Sequence, residues 1–296
     1  PAEPTLDELD SLLVDLYGGD DHLAVGYHTA ERPAAGGTDV EPSPFRRVDG
    51  TVFLGEGDDT LQWNTVAASP AWHSHVAVYG GQGSDTLTVF TPPPGSVDRP
   101  PRAAPLQVQF DSGPGQSDAI EVFTTDADEH VTVVGSIRDD VPGGRQFLID
   151  VRDPLRETLA AELTIYTPTR VASDTGGGDD VVEIHGFEND FAVGSLFDTR
   201  YDVDLGEGDN LLTLDGKGND IAVQRRSGSG ADEVIVRAKP VPASPAGMAP
   251  GRLAAEIDLG DGNDVASCSA LLSPPQVDLR SRADTDVPSL EGSILM

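Results

Sequence analysis

Short runs of alternating apolar and polar residues fill most of the chain. TVFL (51–54), VAVY (76–79), LQVQF (106–110), YDVDL (201–205) and AEIDL (255–259) are of this kind. So are TLQW (60–63), TLTVF (86–90), AIEVF (119–123) and EVIV (233–236). Alternation at period two predicts strands with one inward and one outward face. Between such runs stands a recurring phrase. It appears as GEGDDTLQW from Gly55, GQGSDTLTV from Gly81, GPGQSDAIEV from Gly113 and GGGDDVVEI from Gly176. It returns as GEGDNLLTL from Gly206, GKGNDIAV from Gly216, GSGADEVIV from Gly228 and GDGNDVASC from Gly260. YGGDDHLAV begins at Tyr17, with tyrosine in the place of the first glycine. The shared pattern is G-x-G-x-D-x-apolar-x-apolar.

The spacing of these turns predicts the architecture. Successive copies are 26 residues apart from 55 to 81, 32 from 81 to 113, 30 from 176 to 206 and 32 from 228 to 260. The gap of 63 residues from 113 to 176 is about twice as long, and Gly144 in VPGGRQFLIDV lies half-way along it. Gly144 therefore reads as a degenerate turn that lacks its Asp. Three strands of about 5 residues with three connections of about 4 make a coil of roughly 27. One such coil cannot bury its apolar face, but a stack of coils can. The fold expected is all-β: a right-handed parallel β-helix or β-roll of about nine coils. A third architecture, a β-sandwich whose similar turns are hairpins, would require antiparallel ladders. From 206 to 236 the turns come closer together and are expected on opposite edges of a narrower coil.

Three proline-rich stretches, 26–50, 91–105 and 238–252, are expected to project as loops, because proline cannot donate to a ladder. The solenoid is expected over residues 1–272, with a polar, loosely held tail over 273–296. Thr5 and Glu8 fit a helix capping box, and Leu6, Leu9, Leu13 and Leu16 recur at helical spacing, which predicts a short N-terminal capping helix. In the competing reading, SLLVDL is the strand before the first turn.

Composition narrows the function. The 296 residues carry 51 acids against 19 Lys and Arg, a formal charge of −32. Repulsion of that size opposes compactness unless counter-ions bind. It excludes nucleic acid and anionic membrane as natural partners. Asp outnumbers Glu by 36 to 15, which is the composition of turns and of hard-cation ligands. Cys268 is alone, so no intramolecular disulfide forms. No signal-peptide pattern opens the sequence, and no run of about 18 apolar residues is present.

Glycine at the first and third places permits positive φ, so that turn carbonyls and the Asp carboxylate can face one side. Hard oxygens held this way suit Ca²⁺, which takes 6–8 of them. One turn offers half a shell, and a second turn stacked about 4.8 Å away completes it. GGQGSDTLT (80–88) resembles the calcium-binding nonapeptide of the repeats-in-toxin (RTX) proteins at every defined place. LGEGDDTLQ, TGGGDDVVE, SGSGADEVI and LGDGNDVAS resemble it except at the first glycine. The resemblance covers about nine short windows, and here most copies are spaced about 30 residues apart instead of in tandem. It implies Ca²⁺ between successive turns, bound by turn carbonyls and by the carboxylates of Asp59, Asp85, Asp180, Asp220, Asp232 and Asp264. The glycines implied are Gly55, Gly57, Gly81, Gly83, Gly176, Gly178, Gly206, Gly208, Gly216, Gly218, Gly228, Gly230, Gly260 and Gly262. Asn210 stands at the carboxylate place of its copy and would be a weaker ligand.

The plain alternative is that Asp beside Gly makes a good turn without metal, its carboxylate taking backbone N–H groups across the stack. Enzyme signals are thin. There is no G-x-S-x-G elbow, no H-E-x-x-H and no phosphate loop. GDD recurs as turn chemistry, and Trp63 and Trp72 read as caps on the core sooner than as a sugar platform. The function expected is an extracellular or cell-surface calcium-binding structural or adhesion module. Its partners would be calcium ions and a cell-surface polysaccharide or surface protein, without membrane insertion. A carbohydrate-active β-helix enzyme (a lyase, hydrolase or epimerase) is the alternative.

Overall fold

The computed structural model describes residues 11–26, 48–64, 74–91, 106–113, 118–137, 145–152, 159–166, 170–186, 199–217, 221–226, 228–239, 253–270 and 276–280. All regular structure there is strand. In chain order the first eight strands form four pairs: β1 (Ser11–Asp15) with β2 (His22–Gly26), β3 (Val48–Glu56) with β4 (Thr60–Asn64), β5 (Ser74–Gln82) with β6 (Thr86–Phe90), and β7 (Leu106–Asp111) with β8 (Ala119–Phe123). There follow β9 (His130–Ile137), β10 (Arg145–Arg152), β11 (Leu159–Tyr166), β12 (Arg170–Asp174), β13 (Val181–His185) and β14 (Thr199–Asp204). The last six are β15 (Leu211–Lys217), β16 (Ile221–Arg226), β17 (Glu233–Lys239), β18 (Leu253–Asp258), β19 (Val265–Ala270) and β20 (Gln276–Arg280).

The strands divide into two sheets. The 11-stranded sheet has the order β1-β3-β5-β7-β11-β10-β9-β13-β15-β17-β19, and the 9-stranded sheet is β2-β4-β6-β8-β12-β14-β16-β18-β20. Almost every pairing is parallel and joins strands that belong to successive repeats. The register is uniform: Leu23, Leu61, Leu87 and Ile120 lie level across four strands. Such a register follows from the alternation, since a slip of one residue would turn every inward side chain outward. Each repeat supplies two strands, one per sheet, where three had been expected from its length.

One region departs from the parallel order. β10 runs antiparallel to both β9 and β11. Gly144 lies just before β10, outside the described residues. The stretch read from sequence as a coil with a degenerate turn is instead a three-strand meander within the larger sheet.

The core lies between the sheets. Leu54, Leu61, Leu87, Phe110, Ile120, Phe147, Leu163, Ile165 and Ile184 are among its fully buried side chains. Each contributes about 1.5–3 kcal/mol by leaving water. Phe147 on β10 meets Tyr201 on β14 edge to face, with centroids 6.3 Å apart, so the meander is locked to the opposite sheet. Trp63 is buried and packs over Gly50, as a core residue; Trp72 lies outside the described residues.

Several expectations are settled at the ends. Ser11–Asp15 is the strand before the first turn, and no helix occurs among the described residues. The capping-box residues Thr5 and Glu8 lie outside them. The sheet extends beyond residue 272: in β20, Val277 and Leu279 pair level with Ala255 and Ile257 of β18, continuing the alternation into the expected tail. Most of the three proline-rich stretches lies outside the described residues.

Leu61 and Gln62 test the two-faced strand directly. Leu61→Ala is expected to destabilise by about 2–5 kcal/mol through the cavity it leaves. Gln62→Ala, one residue along on the outward face, should change stability by less than about 0.5 kcal/mol. Equilibrium denaturation midpoints of the two variants check both.

Candidate metal centre

The Gly-Asp turns stack as two ladders on opposite rims. In the first half of the chain, each turn leads from the 11-stranded sheet into the 9-stranded one: β1 to β2, β3 to β4, β5 to β6 and β7 to β8. From β8 onward, the tight turns lead back the other way: β8 to β9, β12 to β13, β14 to β15, β16 to β17 and β18 to β19. Because strands within each sheet keep one direction (β10 excepted), this exchange moves the turns to the other rim. The connection from β15 to β16 lies on the rim opposite the turn that precedes β15. Gly216 is a strand residue at the end of β15, level with Ala238, and Gly218 and Asp220 lie outside the described residues.

Carboxylates bind the rungs together. Counted as in the nonapeptide, from the residue before the first glycine of G-x-G, the Asp of the pattern stands at the sixth place, and there Oδ1 accepts the N–H of the equivalent residue one coil earlier. Asp59 takes that of Asp21 at 2.8 Å, Asp85 that of Asp59 at 3.2 Å and Asp118 that of Asp85 at 3.0 Å. On the second rim, Asp180 takes Glu129 N–H at 2.8 Å, Asn210 takes Asp180 at 2.9 Å, Asp232 takes Asn210 at 3.0 Å and Asp264 takes Asp232 at 2.9 Å. At the fifth place the bonds run in the opposite sense. Asp20 accepts from Asp58, Asp58 from Ser84, Asp128 from Asp179, Asp179 from Asp209, and Asp209 from Ala231. The last Asp of several strands also caps its own turn, as when Asp174 accepts Gly176 N–H at 3.1 Å.

The glycines are explained by the closeness of the rungs. A Cβ on Gly57 would stand 2.2 Å from Gly19 O, and one on Gly83 would stand 1.8 Å from Gly57 O. On the second rim a Cβ on Gly208 would meet Gly178 O at 1.9 Å, and one on Gly230 would meet Gly208 O at 1.9 Å. Gly55, Gly81, Gly176, Gly206, Gly260 and Gly262 share the positive φ of this turn, whereas Gly228 does not. Tyr17 holds the first-glycine place with φ 64°, confirming its turn as the first copy.

Sequence reading missed one rung. TTDADE (124–129) occupies the same place on the second rim as TGGGDD (175–180): Gly176 packs on Thr125 and Gly178 on Ala127. It lacks glycine because no described turn lies beneath it. Its only sequence signal was the D-x-D-E acid spacing ahead of HVTVV.

The sixth-place residues are buried. Asp59, Asp85, Asp180, Asp232 and Asp264 are between 0 and 6 % exposed, so their carboxylates have left water. In Asp59 and Asp85, Oδ2 has no hydrogen-bond partner. Gly80 makes room for the second of these: a Cβ there would lie 2.4 Å from Asp85 Oδ2 and 2.5 Å from Ser112 O. In other copies that place holds a buried side chain, such as Leu54, Leu205 or Leu259. Burial raises the Asp85 carboxyl to about 6, opposed by the Asp59 N–H and assisted by the charges of Asp118, Asp59 and Asp58. Burial raises Asp59 as well. Glu129, also buried, is raised by burial against the help of Thr125 and Thr124, with Asp180 adding repulsion; burial raises Asp180 in turn.

The fit to a cation is partial. Buried carboxylate oxygens without donors are suitable ligands for a hard cation. Many turn carbonyls, however, already accept backbone N–H groups: Gly176 O from Glu207, Gly206 O from Gly228, and Gly228 O from Asp261. Each carbonyl oxygen keeps a second lone pair. No group of three or more His, Cys, Asp or Glu side chains converges as a metal site among the described residues. Nor does any helix there have the length and apolarity to cross a membrane. A scan against family models finds no match, and comparisons with curated proteins and with solved structures find none either.

Two predictions follow from the ladder geometry. Gly19 and Gly57 both have positive φ, but only Gly57 has a carbonyl beneath it. Gly19→Ala is expected to destabilise by about 1 kcal/mol through strain alone, and Gly57→Ala by considerably more; denaturation midpoints measure the difference. The second concerns pH. A carboxyl raised in the folded state binds its proton more tightly there than in the unfolded chain. The stability it contributes is present below the ordinary carboxylate range and lost as pH rises through the raised value, about 6 for Asp85. Calorimetry in chelator is expected to show a Tm that falls as pH rises from about 4 to about 7. A Tm that climbs over that range would mean the ladder carboxyls are charged and well solvated.

Proposed function

We propose that the chain is a calcium-stabilised β-solenoid, a rigid structural or adhesion module that works outside the cell. The nine strands of the second sheet support about nine coils, and a right-handed course is the usual one for parallel crossovers. The observation that carries the calcium reading is the contrast between Asn210 and its aspartate equivalents. Asn210 Nδ2 donates to Gly208 O at 3.1 Å. An aspartate at that place brings a second acceptor to the same corner and no donor. Oδ2 of Asp59 and Asp85 is left in that state. A cation answers such a cluster of acceptors, and so does a proton. The resemblance of residues 80–88 to the RTX nonapeptide favours Ca²⁺.

The magnitude points to location. With Kd about 10⁻⁴ M and about 1 mM Ca²⁺, each site contributes about 1.4 kcal/mol. Five such sites give about 7 kcal/mol, comparable with the stability of a whole domain. At cytosolic calcium the contribution nearly vanishes, so the ladder suits a surface or secreted setting.

The test is a calcium titration of chelator-treated protein, followed by circular dichroism and calorimetry. Calcium at about 0.1–1 mM is expected to raise Tm. Asp59→Asn and Asp85→Asn should reduce that rise. Asn210→Asp, which removes the internal amide donor, should weaken the calcium-free protein and enlarge the response. Equal stability with and without chelator would remove calcium from the account and leave the turns as corners.

A further inference from the structure

A groove of about 260 Å³ lies on the outer face of the 9-stranded sheet, where β8, β12 and β14 run up to the second-rim turns. It owes its existence to one small residue. On β12, Ala172 stands level with Glu121 of β8 on one side and with Asp202 of β14 on the other. Longer side chains occupy the flanking positions, so Ala172 forms the floor of a depression. Arg170 spans one side of it, with Nη1 on Glu121 Oε1 at 2.7 Å and Nε on Asp202 Oδ2. Arg200 Nε joins Asp202 Oδ1 at 2.7 Å, and Thr88 Oγ1 donates to Glu121 Oε2 at 3.3 Å. These polar groups are therefore held in place before any ligand arrives. The other side is bounded by Phe123. Its ring stacks on Phe90 with centroids 5.0 Å apart and planes at 16°. Phe90 lies on β6, on the far side of β8 from the groove, so the opposite face of Phe123 is turned toward it.

We propose that this groove binds a neutral pyranose unit of a glycan chain. A sugar ring offers an apolar face of C–H groups and a rim of hydroxyls. The Phe123 face suits the first and the fixed carboxylate and guanidinium groups suit the second, since carboxylates accept and guanidiniums donate. Aromatic side chains with a few precisely placed polar groups are the usual lining of a small-ligand site. Charge selects against uronates. The lining's four carboxylates, Glu121, Asp174, Asp202 and Asp204, outweigh its two arginines, and the whole chain carries −32. Both central carboxylates are engaged by Arg170, an arrangement for holding a ligand and not for proton transfer to it. The inference rests on the adhesion part of the proposed function and is independent of calcium in the turns.

The test uses the full chain in calcium, with its fold monitored by circular dichroism. Cello-, manno- and chito-oligosaccharides, with oligogalacturonate for comparison, are titrated while backbone amide resonances are recorded. A neutral oligosaccharide is expected to shift the amides around Glu121, Phe123, Ala172 and Asp202. Phe123→Ala and Ala172→Leu, which remove the wall and fill the floor, should each weaken binding about tenfold or more while the fold is retained. The proposal is overturned if no neutral oligosaccharide binds, if only oligogalacturonate binds, if the shifts map elsewhere, or if both folded variants bind as the parent does. In those cases the ion pairs serve only to hold the strands together. A chain indifferent to calcium that still binds sugar here would sink the calcium reading and leave this one standing.

Discussion

The structure depends on backbone N–H groups of one turn being captured by the carboxylate of another. A turn at the end of a coil has N–H groups that no strand partner can take, and burying them unpaired would be costly. Here the fifth-place Asp reaches forward and the sixth-place Asp reaches back, so adjacent turns are tied twice. Reaching at that distance requires the two turns to lie almost in contact. Contact in turn requires glycine where a carbonyl of the turn below approaches Cα. The acidic composition is a consequence: added coils bring more carboxylates to the rim, in most of them one that is buried.

That burial gives the arrangement its tension. One oxygen of each inner carboxylate is well used, while the other, in Asp59 and Asp85, faces into the protein with no donor. The stack is thus held by charged groups whose charge the interior resists. Asn210 relieves the conflict locally with its amide, at the loss of a charge that a cation could use.

The repeating parts of this fold were readable from the sequence because they are local. Alternation in TLQW or AIEVF fixes which side chains are inward, and G-x-G-x-D fixes a turn. The partners of those turns were not readable. Whether Gly216 stacks with Gly206 or faces away from it depends on which rim each connection takes, and that is decided by the exchange after β8. The rung at 124–129 escaped notice because the glycine signal arises from a neighbour beneath, and this rung has none. Gly144 misled for the converse reason: it has the spacing of a turn without the acid that would tie it to the stack. The groove over Ala172 was equally hidden, since it is a relation among three strands from different repeats. Tyr17 shows the reach of the local signal, having been placed at a glycine position from pattern alone.

The first rung of each ladder also gives it a direction of growth. The two glycines of each later G-x-G answer the turn before it. The second ladder begins on Thr125 and Ala127 and the first on Tyr17, residues that carry a Cβ at places where every later rung has glycine. A duplicated coil copied from a glycine-bearing unit can therefore be accommodated above these residues, but not beneath them. Gene duplication could lengthen such a protein one coil at a time from a fixed base. Copy number is then the quantity most free to vary among its descendants, and the two base rungs are the least.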